Sequence, residues 1–396
     1  MKRVALMSKR ANGEGSIAFY SSRNCYRGQL TIGVDESGKP KRKSFYGKTK
    51  KEVKEKMETY KLLNPINKAA INEYTVATWF NYWLWNIKKR DIKPKTFERY
   101  ECIYRNYIKG SEIANIPLYK FKLNNLQAYY NRLSDNGKSP SIIKTINEKL
   151  KSSMIDAEKN GYIEKNYCQL VNLPKEKRKE KKIEVFSVDQ QNDFLEIIKG
   201  HEFEILFLLA IGTGLRRGEL LALRWSDIDF ENKTINVDSN IQQAYIFEDE
   251  ETKRLEKIEQ EPKTINSFRT VPIPSKVLDK LQEHKQKQEQ YKLAFQERYI
   301  DNDFVICDKY GKALDVKRPT RMFYSIQKKM GIPEDEKIKF HGLRKTYATR
   351  LFEKEVPPKT VQMLLGHSEI SITLDIYTQV MENKKVEAIE KIDDIF

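Results

Sequence analysis

Only four histidines and four cysteines are spread through 396 residues. Cys25, Cys102, Cys168 and Cys307 lie far apart and form no CxxC pair. That excludes a dense disulfide framework and reads as free thiols in a reducing compartment. The histidines and cysteines show no zinc-finger spacing. Long apolar runs are missing too. The opening MKRVALMSKR has an apolar run of four residues, too short for a secretion signal. No stretch approaches the ~18 apolar residues of a membrane span. A cytoplasmic protein with no membrane partner is expected. Paired carboxylates at a metal-binding spacing are lacking as well. Asp227 and Asp229, two apart in WSDIDFENK, read as a turn, and neither metal nor cofactor is expected.

Positive charge is what the chain has in excess. Lysine and arginine number 73 against 56 acidic residues, a formal net charge of +17. Such a balance favours a polyanionic partner, through steering and counterion release. Lysine, asparagine and isoleucine are abundant, in keeping with an A/T-rich bacterial genome.

The chain reads as multidomain α+β. In residues 1–63, polar and apolar residues alternate over 16–19, 26–34 and 41–46, with a turn at Asp35-Glu36-Ser37-Gly38-Lys39. A helix follows over 49–62. This predicts a three-stranded antiparallel sheet with a helix on one face. Arg23, Tyr26, Arg27, Gln29, Lys41 and Lys43 are assigned to the other face. A basic, aromatic sheet face can enter a major groove, or can be an ordinary solvated surface. Residues 64–73 are a polar linker. Residues 74–170 read as helices, with Val76, Trp79, Phe80, Trp83 and Leu84 at helical spacing as core. Further helices are expected over 96–107, 123–133 and 141–160. Lys93, Lys95, Arg99, Lys138 and Lys144 are basic positions there, each on its own a plain surface charge. Residues 171–182, with the run PKEKRKEKK, form a basic linker.

Residues 183–380 carry the chemistry. Five local sequences stand in order: TGLRRGE, EPKT, HGLRKT, LLGH and DIYT. They supply Arg216, Lys263, His341, Arg344, His367 and Tyr377. Arg, Lys and His donors around a phosphodiester stabilise the negative charge that builds on its non-bridging oxygens during attack. A tyrosine oxygen could take the phosphoryl group as a covalent intermediate. Thr213 is expected to cap a helix with Arg216 in its first turn, where free N–H groups favour a phosphate. Glu219, three residues on, shares that face. Gly212, Gly214 and Gly218 are spaced GxGxxxG between helices, which does not fit a dinucleotide fingerprint. Strands are expected at 234–237 and 242–247, paired with each other, then a charged mobile tip over 248–260 and a returning strand in EPKTINSFRTVPIP. A helix places His341 and Arg344 beside a buried stripe of Leu343, Tyr347, Ala348 and Leu351. Among the 21 tyrosines, the ten-residue spacing from His367 selects Tyr377.

These motifs, in this order, resemble the tyrosine recombinase, or phage-type integrase, family. The stretch GEGSI…YRGQLTIGVD…KRKSFYGKTKKE is similar to the amino-terminal arm-binding domain of integrases from Gram-positive conjugative transposons and temperate phages. The resemblance implies a small sheet-plus-helix arm-binding domain, a helical core-binding domain in which Lys93, Lys95, Arg99, Lys138 and Lys144 are candidates for DNA-backbone contacts, and a mainly helical catalytic domain with a small antiparallel sheet. It implies that Arg216 and Arg344 clamp the phosphate and that Lys263 protonates the leaving 5′ oxygen. His341 and His367 become the active-site histidines, Glu219 supports the first arginine, and Tyr377 is the nucleophile. The activity implied is site-specific recombination that integrates and excises a mobile element through a 3′-phosphotyrosine and a Holliday junction. The implied assembly is a homotetramer on core and arm DNA sites, with an excisionase and a host DNA-bending protein as candidate partners. Residues 381–396 form an amphipathic tail helix that either docks on a neighbouring protomer or folds back on its own domain. Two other readings stay open: type IB topoisomerase-like cleavage without exchange, and a non-catalytic DNA-binding regulator.

Overall fold

The computed structural model describes residues 16–34, 40–63, 74–176, 184–261 and 267–382. The chain divides into two compact units, Met1–Arg178 and Lys179–Phe396.

The first unit begins with an antiparallel sheet of β1 (Ser16–Tyr20), β2 (Cys25–Val34) and β3 (Pro40–Gly47), in that order. Helix α1 (Lys50–Leu63) covers one face. Leu30, Val53 and Met57 are buried between them, flanked by Ile17, Tyr26, Phe45 and Tyr60. Gly28 permits this approach, because a Cβ there would lie 2.3 Å from Met57 Sδ and 2.6 Å from Val53 Cγ1. The predicted turn at 35–39 lies outside the described residues.

The other described residues of this unit, 74–176, are mainly helical. Helix α2 (Val76–Tyr82) starts at a Thr75 cap whose side chain accepts from Thr78 N–H. It runs on as a π-helical turn, Trp83–Ile87. Helix α3 (Pro94–Ile103) and helix α5 (Pro140–Lys159) each have proline in the first turn, where a missing N–H costs nothing. Helix α4 (Leu123–Asp135) lies between them in sequence. Trp79, Phe80 and Trp83 are almost fully buried, as the core reading of that aromatic stripe requires. Buried indoles need acceptors. Trp79 Nε1 donates to Ser153 O at 3.0 Å and Trp83 Nε1 to Asp156 Oδ2 at 2.6 Å, both on α5.

In the second unit, α6 (Val188–Ile198), α7 (Glu204–Thr213), α10 (Arg318–Lys329) and α11 (His341–Glu353) contribute to a core shared with the strands and connecting segments. Phe323 of α10 contacts the rings of Phe186, Phe194, Phe207 and Phe340 at centroid separations of 5.6–6.0 Å. Helix α7 is apolar nearly all round and is buried accordingly. Helix α8 (Arg217–Ala222) follows it. A long helix, α9 (Ser275–Phe295), comes after the strands. Helices α12 (Pro358–Leu365) and α13 (Ile370–Glu382) pack with α11 around Ala348, Phe352, Val361 and Leu365.

Two expectations for the strands are corrected. Strand β5 (Thr234–Val237) forms, but between β4 (Ile228–Asp229) and β8 (Arg269–Pro272). Strand β6 (Asn240–Phe247) pairs instead with β7 (Lys253–Gln260), within the stretch expected to be a mobile tip. A separate ribbon exposes charged side chains at little cost, so the charge of KRLEKIEQ does not oppose a strand. Lys253 Nζ lies 4.9 Å from the Tyr245 ring centre, and Arg254 pairs with Glu248 and Glu256.

Candidate active site and DNA-contact residues

Helix α7 ends at Gly214, whose φ of +65° suits glycine and turns the chain sharply. A Cβ there would meet Tyr347 Cδ1 at 2.5 Å. Thr213 closes α7, its hydroxyl donating to Leu209 O at 2.6 Å, and does not cap the next helix as expected. Arg216 takes that position. Its backbone N–H donates to Glu219 Oε2 at 2.8 Å and its Nη1 to Glu219 Oε1 at 2.7 Å. The start of α8 is therefore occupied by the protein's own carboxylate. The guanidinium of Arg216, not the helix end, is left to meet an anion.

Arg344 lies one turn into α11 and is 3% exposed, within the core and not beside it. Its Nη1 donates to Gly214 O at 2.7 Å and its Nη2 to Leu365 O. Nε is buried with no partner among the described residues. A buried guanidinium donor without an acceptor is costly, and an incoming phosphate oxygen would remove that cost. Burial, and then the charge of Arg216, work against the charged form of Arg344.

Proline begins α12 and Gly366, at φ +63°, ends it. The chain then presents His367. Gln362 holds this residue at both ends: His367 N–H donates to Gln362 O at 3.2 Å, and Gln362 Nε2 donates to His367 O at 3.1 Å. His367 Nδ1 shares a hydrogen bond of 2.9 Å with Thr373 Oγ1. Burial, and then Arg344 and Arg216, hold its pKa down to about 3. His341, the first residue of α11, is exposed, yet the protein beneath it and then Arg344, Lys345 and Arg216 hold it down to about 4. Both rings are neutral at pH 7. Burial pushes the Glu219 carboxyl up, but Arg269 and Arg216 together prevail and hold it down to about 2.

Arg269 of β8 is a residue the motifs did not single out. Its Nη2 donates to Glu219 Oε2 at 2.9 Å and its Nη1 to Oε1 at 3.2 Å. Sequence held one signal, an arginine two places from the inward-facing Val271 in SFRTVPIP, but it reads only as part of the frame around Lys263.

Arg216, Glu219, His341, Arg344 and His367 are thus brought into one charged cluster. Tyr377 lies on α13, half-buried, its ring edge-on to Phe352 at 5.2 Å between centroids. Thr373 and Tyr377 are four residues apart on that helix, so the tyrosine shares a face with the partner of His367. Lys263 and the tail beyond Glu382 lie outside the described residues. Asp229 accepts from the N–H groups of Glu231 and Asn232, closing the expected turn, and Asp227 accepts from Arg224 N–H. Among the described residues, no group of three or more His, Cys, Asp or Glu is arranged to hold a metal ion. Among them, too, no helix is long and apolar enough to cross a membrane.

The amino-terminal sheet presents a different face from the one expected. The registers Arg27↔Tyr46 and Gln29↔Ser44 put these positions, and Arg42 by strand alternation, on the side away from α1, with Ala18 and Tyr20. Arg27 lies over the Tyr20 ring at 4.7 Å and Arg23 over Tyr46 at 5.7 Å. Tyr26 instead packs on the helix side, and Lys43 reaches the Tyr60 ring on α1 at 4.2 Å. Successive strand residues point to opposite faces, so Tyr26 and Arg27 cannot share one. The side chain of Lys41 lies outside the described residues. In the helical segment Lys93, Lys95, Arg99, Lys138 and Lys144 are candidates still, and Lys95 pairs with Glu98 at 2.8 Å. Lys149 joins Arg99 and Lys88 in a cluster of positive charge, its Nζ 4.6 Å from the Tyr100 ring centre.

The chain is similar to known proteins over most of its length. The phage integrase family matches residues 184–384, and the phage integrase N-terminal SAM-like domain matches residues 75–134. A "tyrosine recombinase XerC-like" protein of Caldanaerobacter subterraneus subsp. tengcongensis is 42% identical over 382 residues, covering 94% of this chain and 96% of its own. A Tn1549 transposon integrase in complex with transposon right-end DNA shares the fold at TM-score 0.62, with 23% identity, over 77% of this chain and 95% of that one. A lambda integrase from a tetramer bound to a Holliday junction does so at 0.54, with 20% identity, over 93% and 96%. The family match over the catalytic unit and the near full-length relative place this chain in the phage integrase family, as a tyrosine recombinase.

Proposed function

We propose that this site-specific recombinase integrates and excises a mobile element, a conjugative transposon or prophage, with Tyr377 as nucleophile. The observation that carries the site assignment is the convergence of Arg216 and Arg344 on adjacent carbonyls, Gly366 O and Leu365 O, immediately before His367. Each guanidinium has five N–H donors. Protein acceptors hold one side of each group, and the remaining donors serve the non-bridging oxygens of the scissile phosphate.

Tyr377 Oη attacks phosphorus. The bond to the 5′ oxygen breaks, leaving a 3′-phosphotyrosine and a 5′ hydroxyl. Lys263 gives the proton to that leaving oxygen. His367 and His341, neutral before DNA arrives, donate to the phosphate and take up proton density as its charge grows. A 5′ hydroxyl from the partner duplex then attacks the phosphotyrosine and releases Tyr377. One phosphoester replaces another, so the bond energy is retained and the balance requires neither ATP nor metal.

Residues 1–63 would hold arm sites, 74–170 and 183–380 would close on the core site across the 171–182 linker, and 381–396 would dock on a neighbouring protomer. The lambda integrase tetramer on a Holliday junction supports a four-protomer assembly here. An excisionase and a host DNA-bending protein are proposed partners, in a bacterial cytoplasm. The test is a two-duplex assay with attachment-site DNA from the ends of the encoding element. Joint molecules and reciprocal products are expected; relaxation of supercoils without exchange would contradict the reading.

A further inference from the structure

Three consecutive carbonyls at the end of α12 are each bound by a different arginine. Leu364 O accepts from Arg269 Nε at 2.9 Å, Leu365 O from Arg344 Nη2, and Gly366 O from Arg216 Nη2 at 3.2 Å. The arginines come from β8, α11 and the start of α8. A helix C-terminus is its negative end, so it is a favourable place for three cations to meet. Two of the three also share one carboxylate. Glu219 holds Arg216 on one side and the fork of Arg269 on the other. Glu219 and Arg269 are nearly sealed from water, with side chains 5% and 6% exposed, whereas that of Arg216 is 36% exposed.

We infer that Arg269 is a positioning residue for recombination: it fixes Glu219 and the Leu364 carbonyl so that Arg216, Arg344 and His367 meet the scissile phosphate in register. The inference rests on the site assignment above. Arg269 is too buried to touch DNA, so it acts through its two partners. Without it, Glu219 keeps only Arg216 as a charged partner and draws that guanidinium inward, away from the phosphate. The last turn of α12 is also left with two of its three anchors just before His367. Breaking a buried pair from one side leaves an uncompensated charge, and a displacement of about 1 Å at a reacting centre costs about 100-fold in rate.

The experiment uses the full-length protein and a nicked suicide duplex of its core site, under single-turnover conditions, with core-site affinity and Tm measured alongside. Arg269→Gln is expected to cleave about 100-fold more slowly than wild type while still binding the core site. Arg269→Lys keeps the charge and the fold but not the two-pronged geometry, and is expected to be slowed as well. The discriminating readout is the pH profile. The groups facing Glu219 are Arg216, Arg269, Arg344 and His341, with His367 beyond. In wild type the carboxylate stays ionised through the acid range. In Arg269→Gln its proton affinity rises, so the acid limb of cleavage moves to higher pH. Adding Glu219→Gln removes the larger part of that displacement and leaves only the part due to loss of the Arg269 charge near His367. A variant that cleaves like wild type would overturn the inference. So would slow cleavage with a lowered Tm and an unmoved acid limb, which is what loss of packing alone produces. Arg216→Ala is run in parallel. If it too cleaves normally, the site assignment itself fails.

Discussion

The hydroxyl of Thr373 lies 2.9 Å from Nδ1 of His367, and Thr373 is fully buried. When that hydroxyl donates, the imidazole proton sits on Nε2, which is then the ring's donor, in the proposed reaction toward phosphate. Thr373 is on α13, one turn before Tyr377, so a single helix both contacts the histidine and carries the proposed nucleophile.

Thr373→Val keeps the shape and removes the bond. Cleavage of a suicide core-site duplex is expected to slow about tenfold, the worth of one hydrogen bond, and Thr373→Ser is expected to restore most of it. Equal rates for wild type and Thr373→Val would show that His367 is oriented by other contacts.

The two site histidines make the DNA-free protein sensitive to acid. Their folded pKa values of about 4 and about 3 lie below the ordinary 6.5. The unfolded chain therefore takes up protons first as pH falls. Stability is expected to be undiminished above about pH 6.5 and to decline from there toward pH 4. Replacing His367 with Gln should flatten that decline. With only four histidines in the chain, their ring signals can be followed by NMR. Titration of His341 and His367 near 6.5 without DNA would contradict the electrostatic picture. Bound DNA should raise both, because phosphate favours the charged ring.

Gly214 is a sensitive point in the backbone. It adopts a left-handed conformation, abuts Tyr347 and presents its carbonyl to Arg344. Gly214→Ala should cost about 1–2 kcal/mol from the backbone alone, more from the clash with Tyr347, and should depress cleavage through Arg344. Thermal unfolding and cleavage rates would measure both effects.

The two faces of the amino-terminal sheet predict separable phenotypes. Arg27→Ala and Arg42→Ala should weaken arm-site binding and reduce its salt dependence by about 0.9 in log–log slope for each phosphate left unneutralised. Tyr26→Ala should lower the stability of the sheet instead, since Tyr26 packs against α1. Salt titrations of arm-site binding that assign the effects the other way round would restore the expected face.

How far the sequence can be read depends on how local each signal is. Arg216, His341, Arg344 and His367 belong to short motifs whose order survives any folding, and they converge. The three amino-terminal strands and the helical segment are legible from periodicity. The sheet face is not legible from chemical type, because strand alternation separates Tyr26 from Arg27 whatever their shared fitness for DNA. The β6–β7 ribbon escapes a reading that takes charge as a sign of mobility. Arg269 and Thr373 act through partners 50 and 6 residues away. No local spacing announces such roles, which emerge only when α12 brings its carbonyls and His367 to the arginines.

In the proposed reaction Tyr377 becomes covalently joined to DNA, and the joined species can be trapped. The protein is incubated in EDTA with nicked suicide duplexes built from the ends of its element and resolved on a denaturing gel. A slower, DNA-linked band is predicted for wild type and none for Tyr377→Phe. A band that persists in Tyr377→Phe, or cleavage that requires added metal, would contradict it.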